Sequence, residues 1–187
     1  MLYTRKGDKG DTSAFGCCKR FSKSSALTEA LGSLDELNSL LGICKIKSNC
    51  FKFKIKTNTI TRNSINKIIE NIQNNLFIIQ AKIAGADKKI TKEKISEIEN
   101  IIDSIEKQLP PIKSFFIPGG LELSAYLDYT RAISRKAERR ATAYFESEKK
   151  QSNDESLAYL NRLSSLLYAL TRFVNFKLKV KEKSPLY

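Results

Sequence analysis

Arg131, Arg135 and Arg139 stand four residues apart, with Lys136, Ala137, Glu138 and Arg140 interleaved. On an α-helix the three arginines share one face, and four guanidiniums and one ammonium then crowd into ten residues. Such mutual repulsion is relieved by a polyanion or by paired carboxylates, which guanidiniums grip in bidentate fashion. A triphosphate fits that description. A second candidate anion site lies in Tyr3-Thr4-Arg5-Lys6-Gly7-Asp8-Lys9-Gly10-Asp11-Thr12-Ser13, where glycines let backbone N–H groups turn inward while Lys6, Lys9 and the hydroxyls add donors. It is not a Walker A loop, because no Gly-Lys-Ser/Thr precedes a helix.

Histidine is absent from all 187 residues. That removes histidine-dependent acid–base chemistry and the Glu-x-x-His sites of di-iron bundles. Chemistry in this chain must run on positioning, charge or a borrowed reactive group. Four cysteines, at 17, 18, 44 and 50, form no Cys-x-x-Cys pair, and the adjacent Cys17 and Cys18 make a poor disulfide framework, so they read as reduced. The net charge of +13 suits an anionic partner, although lysine excess is also a compositional habit. No run of eighteen apolar residues and no leader-type N-terminus is present, so a cytoplasmic protein is expected.

The elements that must hold these residues are helical. Leu27, Leu31, Leu34, Leu37 or Asn38, and Leu41 predict helix one over 26–47, with Ser24 or Ser25 as N-cap. Residues 48–61 read as a loop packed on the bundle rather than a strand. Ile65, Ile68, Ile72, Leu76, Ile79 and Ile83 predict helix two, closed by Gly85. Helix three runs from about Thr91 towards Leu109 and stops at Pro110-Pro111. Helices four and five are expected over 121–148 and 154–180, joined to the rest through Phe115-Phe116-Ile117-Pro118-Gly119-Gly120, whose rings are expected to be buried. The reading is an all-α five-helix bundle, ferritin-like in architecture and without a confident strand, in one domain over 1–187: an N-terminal segment 1–25 and a bundle 26–180. The last two helices exceed what a compact monomer needs, which predicts self-association.

Taken in order, Thr4-Arg-Lys-Gly7-Asp-Lys-Gly10, Glu29-Ala-Leu-Gly32-Ser-Leu-Asp35-Glu-Leu-Asn38, Phe115-Phe-Ile-Pro-Gly-Gly120, Arg131-x3-Arg135-Lys-Ala-Glu138-Arg139 and Asn161-Arg-Leu-Ser164 resemble the PduO-type ATP:cob(I)alamin adenosyltransferases over residues 3 to about 176. The resemblance implies a homotrimer with active sites between subunits, which moves the 5′-deoxyadenosyl group of ATP onto cobalt and releases triphosphate. It implies that Thr4, Arg5, Lys6, Gly7, Thr12, Ser13 and Lys23 bind ATP, together with Arg135, Lys136, Ala137, Glu138, Arg139 and Asn161. Arg135 and Arg139 would meet the phosphates, with Mg²⁺ carried by ATP and Glu138 near it. Asp35 and Arg131 would form a salt-bridged pair on the cobalamin side, where Phe115 closes the lower face of the corrin. Implied partners are a flavin or flavodoxin-type reductase and an adenosylcobalamin-dependent mutase, with no membrane. Lys136 stands where the family usually has arginine, Ser165 where it often has aspartate, and Gly16-Cys17-Cys18 carries an apparent one-residue insertion. Two alternatives remain at this level. One is a basic helical nucleic-acid-binding protein, against which Glu138 in the stripe and the lack of a recognition motif both argue. The other is a weakened cobalamin carrier of the same fold.

Overall fold

The computed structural model describes residues 3–14, 19–56, 62–148 and 155–186. Its element order is β1 (Asp11–Ser13), β2 (Arg20–Ser22), α1 (Ala26–Ser48), β3 (Lys54–Lys56), β4 (Arg62–Ser64), α2 (Ile65–Ile83), α3 (Lys92–Glu106), α4 (Glu122–Ser147) and α5 (Glu155–Lys177). The five expected helices are present, each within a few residues of its sequence-predicted bounds. Ser25 caps α1 by accepting from the Thr28 N–H, and Ser64 caps α2 by accepting from the Lys67 N–H.

Where no confident strand is expected from sequence, the structure has two antiparallel ribbons, β1–β2 and β3–β4, each three residues deep. In the second, Ile55 is fully buried in the core and pairs with Asn63, turning what read as a loop into a paired segment. Three-residue strands carry too few alternations to announce themselves.

The core is a layer of aliphatic side chains from every helix, including Leu34, Leu37 and Leu41 of α1, Ile69, Leu76 and Ile79 of α2, and Leu163, Leu167 and Leu170 of α5. α4 lies between α1 and α5. It packs closely because its inward positions include Thr130, Ser134, Ala137 and Ala141, all fully buried small residues. That burial fixes the rotation of α4 and therefore which of its charged residues face outward.

Candidate functional site

Helix rotation divides the α4 cations into two sets. Lys136 Nζ lies 2.7 Å from Glu36 Oε2, and Arg140 Nε lies 3.5 Å from Glu29 Oε2, so both cations are committed to α1. Arg135 and Arg139 face away from α1. They are exposed, and among the described residues neither has a carboxylate partner; the Arg139 guanidinium only donates to the Arg135 carbonyl, at 3.1 Å. Lys136 therefore points towards α1 rather than beside Arg135 and Arg139, and Ala137 is fully buried.

Arg135, Glu138, Arg139, Thr142, Ala143 and Glu146 line a groove of about 270 Å³. All six come from α4, so one chain supplies only one wall. Beside it, Asn161 Nδ2 donates to Glu138 Oε1 at 3.0 Å. Arg162 then donates to Asn161 Oδ1 at 2.8 Å and to Glu99 Oε1 at 2.8 Å, so α3 and α5 fix the amide orientation. Thr142, Glu146 and Arg162 were not singled out from sequence. The first two continue the i, i+3, i+4 and i+7 spacing from Arg135, Glu138 and Arg139, which could have shown them.

The N-terminal candidates form a cluster of their own. Lys23 Nζ donates to the Gly7 carbonyl at 2.8 Å, and the Lys23 N–H to the Gly10 carbonyl at 2.9 Å. A Cβ on Gly7 would come within 3.1 Å of Lys23 Nζ and 3.2 Å of the Asp11 carbonyl, so glycine is what lets the chain fold over the lysine. Arg20 grips Asp11 in bidentate fashion, and this partner holds the Asp11 carboxyl below the usual carboxylate range. Arg5 sits at φ 58°, a left-handed conformation uncommon for a residue that carries a Cβ. Thr4, Arg5 and Lys6 are exposed, as is Ser13, while Thr12 is half-buried in β1. Among the described residues no hydrogen bond or ion pair joins this lobe to α4. The Gly16-Cys17-Cys18 turn lies outside the described residues.

The corrinoid-side candidates depart from expectation in two respects. Within one chain Asp35 is exposed and forms no ion pair with Arg131, whose Nε is buried without a hydrogen-bond partner. Phe115 is 77% exposed rather than buried, and only Phe116 tucks in, with the Arg172 guanidinium 4.1 Å from its ring centroid. Arg172 is itself buried and lies 2.5 Å from Glu182 Oε2, an ion pair without an aligned N–H. Buried Asp128 accepts the Gly119 N–H at 3.1 Å. Burial raises its carboxyl above the usual range, opposed by the Gly119 N–H and the nearby charge of Arg131. Sequence reading passed over Asp128, Arg172 and Glu182 because nothing in their spacing marks them. Of the cysteines, Cys44 and Cys50 are free, the former buried against Thr130.

The comparisons place the chain. Residues 2–174 match the model of the cobalamin adenosyltransferase family. The chain belongs to that family. It is 36% identical over 179 residues to the corrinoid adenosyltransferase of Bacillus subtilis (strain 168), covering 93% of this chain and 86% of that one. Against the human corrinoid adenosyltransferase MMAB the identity is 32%, covering 97% of this chain and 72% of the relative. It spans about half the length of the Citrobacter freundii PduO protein, at 34% identity and 91% coverage of this chain. A solved variant of the PduO-type ATP:corrinoid adenosyltransferase of Lactobacillus reuteri, complexed with cobalamin and ATP, superposes with a TM-score of 0.83 at 27% identity, over 99% of this chain and 96% of that one.

Proposed function

We propose that this protein transfers the 5′-deoxyadenosyl group of ATP to the cobalt of cob(I)alamin, giving adenosylcobalamin and triphosphate. Membership of the family along the chain supports this, and the observation that carries it is local: two guanidiniums, Arg135 and Arg139, have no carboxylate partner among the described residues and border a groove beside the Glu138–Asn161 pair. In the reaction a cobalt–carbon bond forms at C5′ as the C5′–oxygen bond breaks, and its electron pair leaves with the triphosphate. Cob(I)alamin supplies the nucleophile, so the chain needs no histidine and no catalytic serine. Arg135 and Arg139 oppose the charge that grows on the leaving group, and Asn161, oriented by Glu138 and Arg162, adds a fixed dipole.

Thr4, Arg5, Lys6, Gly7, Thr12, Ser13 and Lys23 hold the other side of ATP in this reading. Mg²⁺ would come with the ATP phosphates, and Glu138, in the groove beside Arg135 and Arg139, is the carboxylate available to it. Asp35 and Arg131 shape the corrinoid side, and Phe115 presents an apolar wall that excludes water and the lower ligand from cobalt. Lys136 and Ala137 are structural here. The one-walled groove, the separate N-terminal cluster and the unpaired Asp35 and Arg131 all favour a homotrimer in which neighbouring subunits complete each site. A flavin or flavodoxin-type reductase would supply the electron for cob(II)alamin, and a mutase would consume the product. Among the described residues no helix is long and apolar enough to cross a membrane; a cytoplasmic location is part of the proposal.

Anaerobic incubation with ATP, Mg²⁺ and reduced cobalamin, followed by visible spectroscopy, tests the activity. ATP-dependent loss of the cob(I)alamin spectrum is expected, and an unchanged spectrum would sink the reading. Phe115→Ala should mainly impair the reaction that starts from cob(II)alamin.

A further inference from the structure

Phe115 is 77% exposed and has little packing to hold its ring, so the backbone on either side of it largely sets where the ring goes. That backbone is tethered at several points. Ser114 and Ser184 share a hydrogen bond of 2.7 Å, and the Ile117 N–H donates to the Lys183 carbonyl at 2.8 Å. Arg172 covers the Phe116 ring. The tightest constraint is at the Gly119-Gly120 turn, where φ is 131° and 106°, values that side-chain-bearing residues avoid.

This turn is gripped from both sides. The Asp128 carboxylate of α4 accepts the Gly119 N–H at 3.1 Å, while Asn175 of α5 donates from Nδ2 to the Gly119 carbonyl at 3.4 Å. Asn175 is 3% exposed and is itself held, accepting from the Ser124 hydroxyl at 2.5 Å and donating to Glu182 Oε1 at 3.2 Å. A Cβ on Gly120 would come within 2.8 Å of Asn175 Oδ1, so turn and amide are fitted to each other. Asp128 also lies one helical turn before Arg131 on α4, and the charge of Arg131 acts on it. The Gly119 turn is therefore hydrogen-bonded to a buried carboxylate that also lies within the field of Arg131.

We propose that Asp128 and Asn175 are positioning residues which clamp the Gly119-Gly120 turn and so set the Phe115 ring against the lower face of the corrin. This rests on the assignment of Phe115 made above. Holding the ring in place matters for the four-coordinate cob(II)alamin that is reduced, and much less for cob(I)alamin, which has already shed its lower ligand. The clamp should thus separate the two starting states.

The test compares turnover from cob(II)alamin plus reductant with turnover from pre-reduced cob(I)alamin, and records the electron paramagnetic resonance signal of enzyme-bound cob(II)alamin with ATP. Asp128→Ala is expected to slow the first reaction about tenfold or more, to change the second less than about twofold, and to lose the four-coordinate signal. Asp128→Asn, which keeps an oxygen acceptor for Gly119, should restore most of both. In a Phe115→Ala background Asp128→Ala should add nothing to the cob(II)alamin defect, since the group being positioned is gone. Equal slowing from both starting states, or a defect that adds to that of Phe115→Ala, would overturn the clamp. If Phe115→Ala alone leaves the cob(II)alamin reaction intact, the Phe115 assignment fails instead. Asn175→Ser keeps a small polar group beside Gly120 but cannot reach the Gly119 carbonyl, and it gives the same split should Asp128→Ala fold poorly.

Discussion

The two charged faces of α4 use the same residue types to opposite ends. On one, Lys136 and Arg140 reach α1 and are neutralised by Glu36 and Glu29. On the other, one residue around the helix, Arg135 and Arg139 meet no acid among the described residues and border an open groove. A cation without a partner in the folded chain stays available for a ligand, whereas a paired surface cation contributes little beyond a contact of about 0–1 kcal/mol. Function on this helix is thus marked by what its neighbours fail to provide.

The contrast can be broken most directly at the groove. Arg135→Ala or Arg139→Ala should lower kcat by about 10²–10³, or about 3–4 kcal/mol of transition-state stabilisation, with the thermal unfolding midpoint near that of the parent; near-parental rates in the cob(I)alamin assay would remove the distinction between the faces. Between them lies the buried edge at Ala137. Ala137→Leu should cost about 1–3 kcal/mol in denaturant unfolding, because α1 and α5 leave no room for three more carbons. Lys136→Ala and Glu36→Ala should each change stability by less than about 1 kcal/mol, with a double-mutant coupling to match and unaltered kcat. A large kcat loss in Lys136→Ala would return that ammonium to the phosphate site.

The smallest effect extends the comparison to the N-terminal lobe, where Arg20 is paired as Lys136 is. Arg20 holds the Asp11 carboxyl below its ordinary pKa. The stabilisation is therefore present above the unfolded-state pKa and is lost as pH falls through the folded value. Limited proteolysis should find the 3–23 segment cut faster on acidification below about pH 4, and Arg20→Ala should abolish that dependence.

The helices were legible because their apolar periods run for four turns or more, as in Ile65 through Ile83. The ribbons were not, since a three-residue strand such as β3, centred on buried Ile55, is too short to show a period. At the site, Arg135, Glu138, Arg139 and Asn161 were expected together and are together. The ion pair of Lys136 was not legible, because its partner Glu36 lies a hundred positions away and only packing brings them into register. The Phe115 loop showed the same limit. Its apolar composition argued for burial, yet the structure exposes Phe115 and binds the turn through Asp128, Asn175 and Glu182, whose meaning depends on a tail and a loop converging.

If the proposed trimer forms, a groove lined by a single helix would make the reaction centre a property of contacts between chains rather than of any one of them. In the proposed trimer, two inactive proteins can then repair each other. A chain lacking Arg135 still offers its Lys6 and Lys23 to a neighbour, and a chain lacking those lysines still offers its arginines. Dissociated and reassociated as a mixture, they should regain a fraction of the parental rate set by their ratio. Dilution below the assembly threshold should silence even the unaltered protein with its helices intact.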